Sequence, residues 1–555
     1  MRMHLPVMLM MLPPLPFFLL PGGTGEFQPY HALTRPRAGP KLNPSFATRE
    51  VFAMRRLSLS ALVLGLMAGG AHADVTAGDV WRDWQSYLAG FGYEVTGTPQ
   101  RGAGRLVIAD LGLTQDIPEA GGRMEMRLGR IELAERADGT VSVIYPETMP
   151  MAIAVTPTEG EAVTAVLTLR HEGLAITASG TPEALRYDYT ADDLWLDLGE
   201  VTVDGERVEG LEAGMRLAGL AGSSRAEAEA GGAARLFTQD VTAGPVSYSV
   251  TFEEPAEAAA FDYAGEAQSL GYAARMRFPT GTDTSDMAAA LAAGLSMEGT
   301  FRLGAGESRF SATEEGETMR GSSRSAGSTL GGRFSAQGLD YELGVTGLAT
   351  EGQAETLPLP MAYEIAGLTG RLSMPVARTE ATQDFSLVLD LDDLRLSDAL
   401  WSLFDPNATL PRDPADLVLD LSGRGRLTTD IFDQEKMAAL AETGEAPGEI
   451  ERLELNRLLL SLAGARLTGE GAVDIGEADG MEMPPAEGTV DLRLEGGNAL
   501  LDRLVALGLV PEDQATMVRM MAGMFAQAAE GEDTLTSRVE VKKDGSLTVN
   551  GQKLR

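Results

Sequence analysis

Cysteine is absent from all 555 residues, which excludes disulfides, thiolate zinc sites, thiol nucleophiles and a lipidated cysteine at any processing point. Stability has to come from burial and hydrogen bonding. Histidine is nearly as scarce: of four in the chain, only His171 lies beyond residue 73. A Ser-His-Asp triad there could use no other imidazole, and histidine metal sites of ordinary ligand number cannot form. His171 precedes Glu172-Gly173 in strand-like sequence and reads as a structural strand-edge residue. The motifs G-x-S-x-G, S-x-x-K, H-E-x-x-H, the P-loop and G-x-G-x-x-G are missing too. No catalytic residue, cofactor or metal ligand is expected, and the chain is read as noncatalytic.

Positive charge is the next shortage. Lys and Arg total 45 against 81 Asp and Glu, a net charge of -36. Residues 1–73 hold seven basic and two acidic side chains, so the remainder carries 38 basic against 79 acidic, a net charge near -41. Such a charge repels DNA, RNA and anionic lipid surfaces, so no nucleic-acid partner is expected. It favours solubility, tolerance of high salt or cationic partners, and a solvated acidic surface is its plainest reading. Abundant carboxylates cannot identify a glycosidase-like acid–base pair, which is defined by separation in space. The densest run, Asp390-Leu391-Asp392-Asp393, lacks the loop pattern and bidentate Glu of a calcium hand. In a strand, Asp390 and Asp392 share one solvated face with Leu391 opposite.

An export signal is present. Arg55 and Arg56 precede an apolar run from Leu57 to Met67, then Ala71-His72-Ala73: a charged region, an apolar region and an A-x-A cleavage site. The run is shorter than the roughly 20 residues a membrane span needs, so the reading is a signal peptide over 54–73, cleaved after Ala73. The mature chain then starts at Asp74, is periplasmic and has no transmembrane segment. A signal peptide works at an N-terminus, so Met54 is read as the start and residues 1–53 as an extension outside the protein. The alternative, an upstream membrane anchor, is disfavoured by Pro6, Pro13, Pro14 and Pro16, which interrupt its apolar run.

With 44% hydrophobic residues the chain can build about two to four domains. Val80, Trp81, Trp84, Tyr87 and Leu88 fall at helical spacing between Thr76 and Gly90, an amphipathic helix that docks on the protein's own sheet or offers a partner surface. From Leu106 the period becomes two, as in 124–128, 151–155 and 194–198. The phase slips at Gly129, where a bulge is expected. Asp138-Gly139, Asp204-Gly205, Asp544-Gly545 and Asn550-Gly551 mark hairpins. The fold class is therefore mostly β with a few short helices, an α+β chain built on a long antiparallel meander, with an elongated curved sheet or groove as one form of it.

Weak echoes recur in Tyr187-Asp188-Tyr189, Phe261-Asp262-Tyr263 and Leu339-Asp340-Tyr341, and Gly-Ser-Ser-Arg appears at 222–225 and 321–324. Helices are expected over 285–296, 397–404, 431–443, 499–509 and 512–527. The Gly- and Ser-rich stretches 219–233 and 317–332 read as loops or flexible edges, as do 444–449 and 476–488. Domains are drawn at 74–220, a helix with a β-meander, at 221–380, a Gly/Ser-rich β-meander, and at 381–555, a β domain with a helix pair and a final hairpin.

Two clusters are singled out. Met517, Met520, Met521 and Met524 recur at i, i+3, i+4 and i+7 with Phe525 adjacent. Such a stripe can adapt to acyl chains or varied peptides, but ordinary core packing of a helix on a sheet is the preferred reading. Leu500, Leu504 and Leu507 give the preceding helix its apolar face, and the pair is expected to close one end of a sheet. In the second cluster, Leu396-Ser397-Asp398-Ala399-Leu400-Trp401, Phe404-Asp405-Pro406 and Leu410-Pro411-Arg412-Asp413-Pro414 predict a strand ending near Leu396, a helix capped at Ser397 or Asp398 and a proline-rich turn. Trp401 and Phe404 should then pack together.

These last residues, with Gly469-Glu470-Gly471, a strand from Gly488 to Gly496 and the final hairpin, resemble an exported alphaproteobacterial family catalogued as domain of unknown function twenty-one twenty-five. The resemblance runs from Asp74 to Arg555 and carries no catalytic residues. The tail pattern is more loosely similar to AsmA-like envelope proteins, which implies a hydrophobic groove, although those relatives are typically held in the inner membrane. The function expected is a noncatalytic periplasmic or envelope protein that binds a hydrophobic ligand, such as a lipid, or an envelope protein partner on an extended β-surface. The alternatives are a structural or salt-adapted acidic protein and a carboxylate-based hydrolase.

Overall fold

The computed structural model describes residues 75–554 apart from 91, 118–121, 159, 255–257, 283–285, 357–358 and 477–483. The expected signal peptide, its cleavage point at Ala73 and residues 1–53 lie outside the described residues. The protein is mostly β, with 29 strands and six short helices described and antiparallel ladders. Among the described residues no helix is long and apolar enough to cross a membrane. The chain divides into two compact units, one ending at Thr242 and the other beginning at Ala243. Residue 220 falls inside the strand Leu211–Ala228.

The first unit forms around helix α1 (Ala77–Gly90). Its stripe of Val80, Trp81, Trp84, Tyr87 and Leu88 is buried throughout, so the helix docks on its own sheet. Trp84 Nε1 donates to Tyr187 Oη at 2.8 Å, the Tyr87 and Phe237 rings meet edge to face at 5.0 Å, and buried Asp83 pairs with Arg235. Burial pushes the Asp83 carboxyl up, against the pull of Arg235, and its Oδ2 has no hydrogen-bond partner.

Long strands in this unit take two short partners end to end. Gly122–Glu135 pairs through 122–127 with Thr148–Pro157 and through 132–135 with Val141–Ile144. Ala184–Val203 pairs likewise with Ala175–Thr181 and then Val163–Glu172. The expected bulge lies where the first strand changes partner: the register skips Leu128 beside Gly129, whose φ is 77°. The slip keeps Leu128, Ile131 and Leu133 all inside, at 1% exposure or less. Positive φ at both residues of Asp204-Gly205 and of Asn550-Gly551 matches the tight turns expected there.

In the second unit Gly338–Ala354 also takes two partners, Gly327–Ser335 and Glu317–Ser325. Two of the three Asp-centred echoes, at 187–189 and 339–341, thus sit in the leading halves of two-partner strands. From Gly338 onward the chain is a plain meander through Met361–Met374, Gln383–Leu396, Ala415–Leu427, Gly448–Leu462, Ala465–Ile475 and Ala486–Glu495, completed by Thr534–Val541. The other helices are α2 (Met287–Ala292), α3 (Asp398–Ser402), α4 (Gln434–Thr443), α5 (Gly497–Ala506) and α6 (Glu512–Phe525). Helices α2 and α4 start later than expected because Asp286 and Asp433 are their caps, each accepting a backbone N–H three residues on.

The stretches 219–233 and 317–332 correct the sequence reading: they are mostly strand, in Leu211–Ala228, Glu317–Ser325 and Gly327–Ser335. Their small residues are there for close packing. Gly222 lies directly opposite Tyr189 and Gly321 opposite Phe310, and each ring lies across its glycine. Tyr248 covers Gly265 and Phe385 covers Gly423 in the same way. A large ring opposite a missing side chain fills the pleat without a clash. Both Gly-Ser-Ser-Arg echoes therefore begin on a ring-covered glycine.

Two outcomes follow for urea unfolding. Asp83→Ala leaves Arg235 uncompensated and should lower stability by about 3 kcal/mol, whereas Asp83→Leu combined with Arg235→Met should restore most of it. Gly222→Ala would place a methyl against the Tyr189 ring; because Tyr189 is buried and accepts from Gln239 at 3.0 Å, the cost should be about 1–3 kcal/mol. A neutral Gly222→Ala would show that the ring is free to move.

Candidate functional site

Directly paired residues of an antiparallel ladder point to the same side, and side chains alternate along each strand. The register of the second unit therefore lines up its alternating leucines. One row reads Val345, Leu368, Leu391, Leu417, Leu460, Leu467, Leu494 and Leu535. The next reads Leu343, Gly370, Leu389, Leu419, Leu458, Gly469 and Leu492, and a third Tyr341, Leu372, Leu387, Leu421, Leu455, Gly471, Val490 and Val539. At about 4.8 Å per strand, the eight-strand rows extend roughly 34 Å. No leucine in them is buried. Leu372, Leu389, Leu417 and Leu460 are 36–41% exposed, and Leu453 on the same face is 38% exposed.

The opposite face is charged. Arg538 grips Asp491 with two bonds of 2.7 and 2.8 Å, and this contact holds the Asp491 carboxyl below its ordinary value. Arg452 bridges Glu454 and Asp474, Arg371 meets Glu342 at 3.3 Å, and Asn456 reaches Asp420 at 2.9 Å. Exposed pairs of this kind add little stability. This face also carries the directly paired Val418 and Leu459, both 6% exposed, whereas the leucine rows hold no charged side chain. An open pocket of about 280 Å³ on the charged face is lined by Ser386, Ser422, Arg424, Arg452 and Glu454.

The strand ends are closed by the Trp401 cluster. Ser397 caps α3 through the Leu400 N–H, which turns Trp401 inward onto Leu410 and Ala463, with Leu396, Phe404, Leu500, Leu504 and Leu507 around them. The Trp401 and Phe404 rings stand 5.1 Å apart, as expected. Helix α5 thus closes one end of the sheet. Burial alone would raise the Asp405 carboxyl, but the Thr409 and Leu410 N–H groups, each at 2.8 Å, and the charge of Arg412 hold it below the ordinary value. Arg412 pairs with Asp398 and lies over the Trp401 ring at 5.7 Å. Pro406 and Asp413 are exposed, Pro411 and Pro414 half-buried. These residues brace the loop between two strands.

The methionine stripe is corrected. Met517, Met520, Met521, Met524 and Phe525 are 56%, 62%, 42%, 53% and 39% exposed, so they are not core. Only Ala515 of α6 is buried, because the helix is held at its flanks: Arg519 pairs with Asp502 of α5, and Ser537 Oγ donates to the Phe525 carbonyl at 2.6 Å. Ser537 stands in the Leu492 row, so the C-terminal end of α6 is tied to the leucine face. His171 pairs opposite Leu194 at a strand end. Asp390 and Asp392 share a face; burial, then the charges of Asp390, Asp416 and Asp393, push the Asp392 carboxyl up. Sequence reasoning missed the rows themselves. Their signal was the alternation in 385–396, 417–421 and 453–460, but alignment across strands needs the register.

Residues 295–554 match the family described as "Uncharacterized protein conserved in bacteria (DUF2125)". This is the family that the Trp401 region resembles. The matched stretch holds the Trp401 cluster, α6 and all three leucine rows. No curated protein matches the chain. Among solved structures, BauA, the ferric preacinetobactin receptor from Acinetobacter baumannii, is similar over 83% of this chain and 78% of its own, at 7% identity and a TM-score of 0.14, a likeness that carries no argument. The likeness to AsmA-like envelope proteins is not shown.

Trp401 is 6% exposed, so Trp401→Ala should cost about 3–5 kcal/mol in urea unfolding. A loss well under that range would mean that the cluster does not hold the strand ends together.

Proposed function

We propose that this is a noncatalytic, exported periplasmic or envelope protein whose second unit holds an elongated apolar ligand, an acyl chain, along the leucine rows. The observation that carries the reading is the row register itself, leucine rows eight strands long in which no leucine is buried, on the face opposite the charged pairs. Contiguous exposed apolar area of this kind marks interaction surfaces. Fully burying a leucine is worth about 1.5–3 kcal/mol, so covering five that are about 40% exposed would release roughly 1 kcal/mol each. About 5 kcal/mol is then available before the ordering costs of binding.

The rows contain no charge, so recognition would rest on apolar length, with any headgroup left in water. The net charge of -36 disfavours anionic headgroups. Export rests on the Arg55-to-Ala73 pattern, and the noncatalytic reading on the missing motifs.

Native mass spectrometry with lipid extraction on residues 74–555, purified from the periplasm, tests the reading. Acyl species should co-purify with the native protein. They should be lost from a variant carrying Leu389→Glu and Leu417→Glu whose circular dichroism is unchanged, since both side chains already face solvent. A ligand-free native protein in repeated preparations would sink the acyl reading and direct the search to protein partners by cross-linking.

A further inference from the structure

Two kinds of exposed apolar surface coexist in the second unit, and they differ in chemistry. The sheet face uses leucine at 16 of the 23 positions in its three rows and methionine at none. Helix α6 uses Met517, Met520, Met521 and Met524, at 42–62% exposure. No other described methionine is exposed, and Met124, Met126, Met149 and Met151 are at 5% or less. Leucine would serve a purely apolar contact equally well and is the better helix-packing residue. A thioether adds two properties: adaptable shape and a sulfur that oxidises.

We propose that the α6 stripe is a methionine-oxidation site at which peroxide-class oxidants convert an exposed apolar stripe into a polar one. The thioether sulfur attacks a peroxide oxygen, the O–O bond breaks, an S–O bond forms and water leaves. Sulfur loses two electrons, and the peroxide accepts them. Four sulfoxides on one face, at i, i+3, i+4 and i+7, replace a continuous apolar stripe with four strong acceptors. The change reaches no core side chain, since Ala515 is the only buried residue of the helix. The fold should therefore survive while the stripe loses its apolar character, and sulfoxide reductases would restore that character. The inference does not depend on the leucine face, so the acyl-ligand test can fail while this one succeeds.

The test is graded hydrogen peroxide on the full chain, with peptide mass mapping and binding of the neutral dye Nile red. The α6 methionines should each gain one oxygen at least about tenfold faster than Met126 and Met151, as exposure dictates. In a chain that also carries Leu389→Glu and Leu417→Glu, so that the leucine face no longer competes for the dye, Nile red binding should fall in step with α6 oxidation, with no change in circular dichroism. A variant with all four methionines replaced by leucine should bind the dye and keep binding it after the same treatment. Oxidation spread evenly over buried and exposed methionines, or dye binding unmoved by complete α6 oxidation, would overturn the proposal.

Discussion

The constraint on which this protein depends is geometric: residues opposite each other in an antiparallel ladder must share a face. Every leucine row and every ring over a glycine follow from it. Once Leu391 pairs with Leu417 and Leu417 with Leu460, the flanking positions must alternate. Val388 and Asp390 fall on the other side, as do Asp420 and Arg457. A slip of one residue would turn the leucines into the charged face, so the apolar pattern itself selects the register.

The two units use the same alternation with different outcomes. In the first, Leu106, Ile108, Met126, Leu133, Leu167 and Leu194 lie at 2% exposure or less, because a unit with the α1 stripe can close its apolar face. In the second, α3 and α5 gather at the strand ends around Trp401 and leave the middle of the leucine face without a helix. What is structural plug and what is candidate site differ for the same reason. Trp401 is buried against Leu410 and Ala463, and Asp405 is held by the Thr409 and Leu410 N–H groups, whereas Leu389 and Leu417 have partners only beside them.

Sequence reading recovered the α1 stripe, the Gly129 bulge, the caps at Ser397 and the Trp401–Phe404 contact, since each is set by residues within one or two turns or by a single strand's period. It failed at 219–233 and 317–332, where glycine and serine look like loop residues until an aromatic ring on the next strand occupies the space above them. It also misjudged the methionine stripe. Helical spacing shows that a face is apolar, not whether anything lies against it.

By itself the sequence determined the mostly β class, the alternation, the acidity and the lack of thiol chemistry, because composition and local period are properties of the chain. Only the tertiary structure decided which apolar faces are covered. Burial depends on which distant segment returns to a face: α1 lies on the first unit's sheet, and no described helix lies on the middle of the leucine rows. Periodicity carries no record of that return.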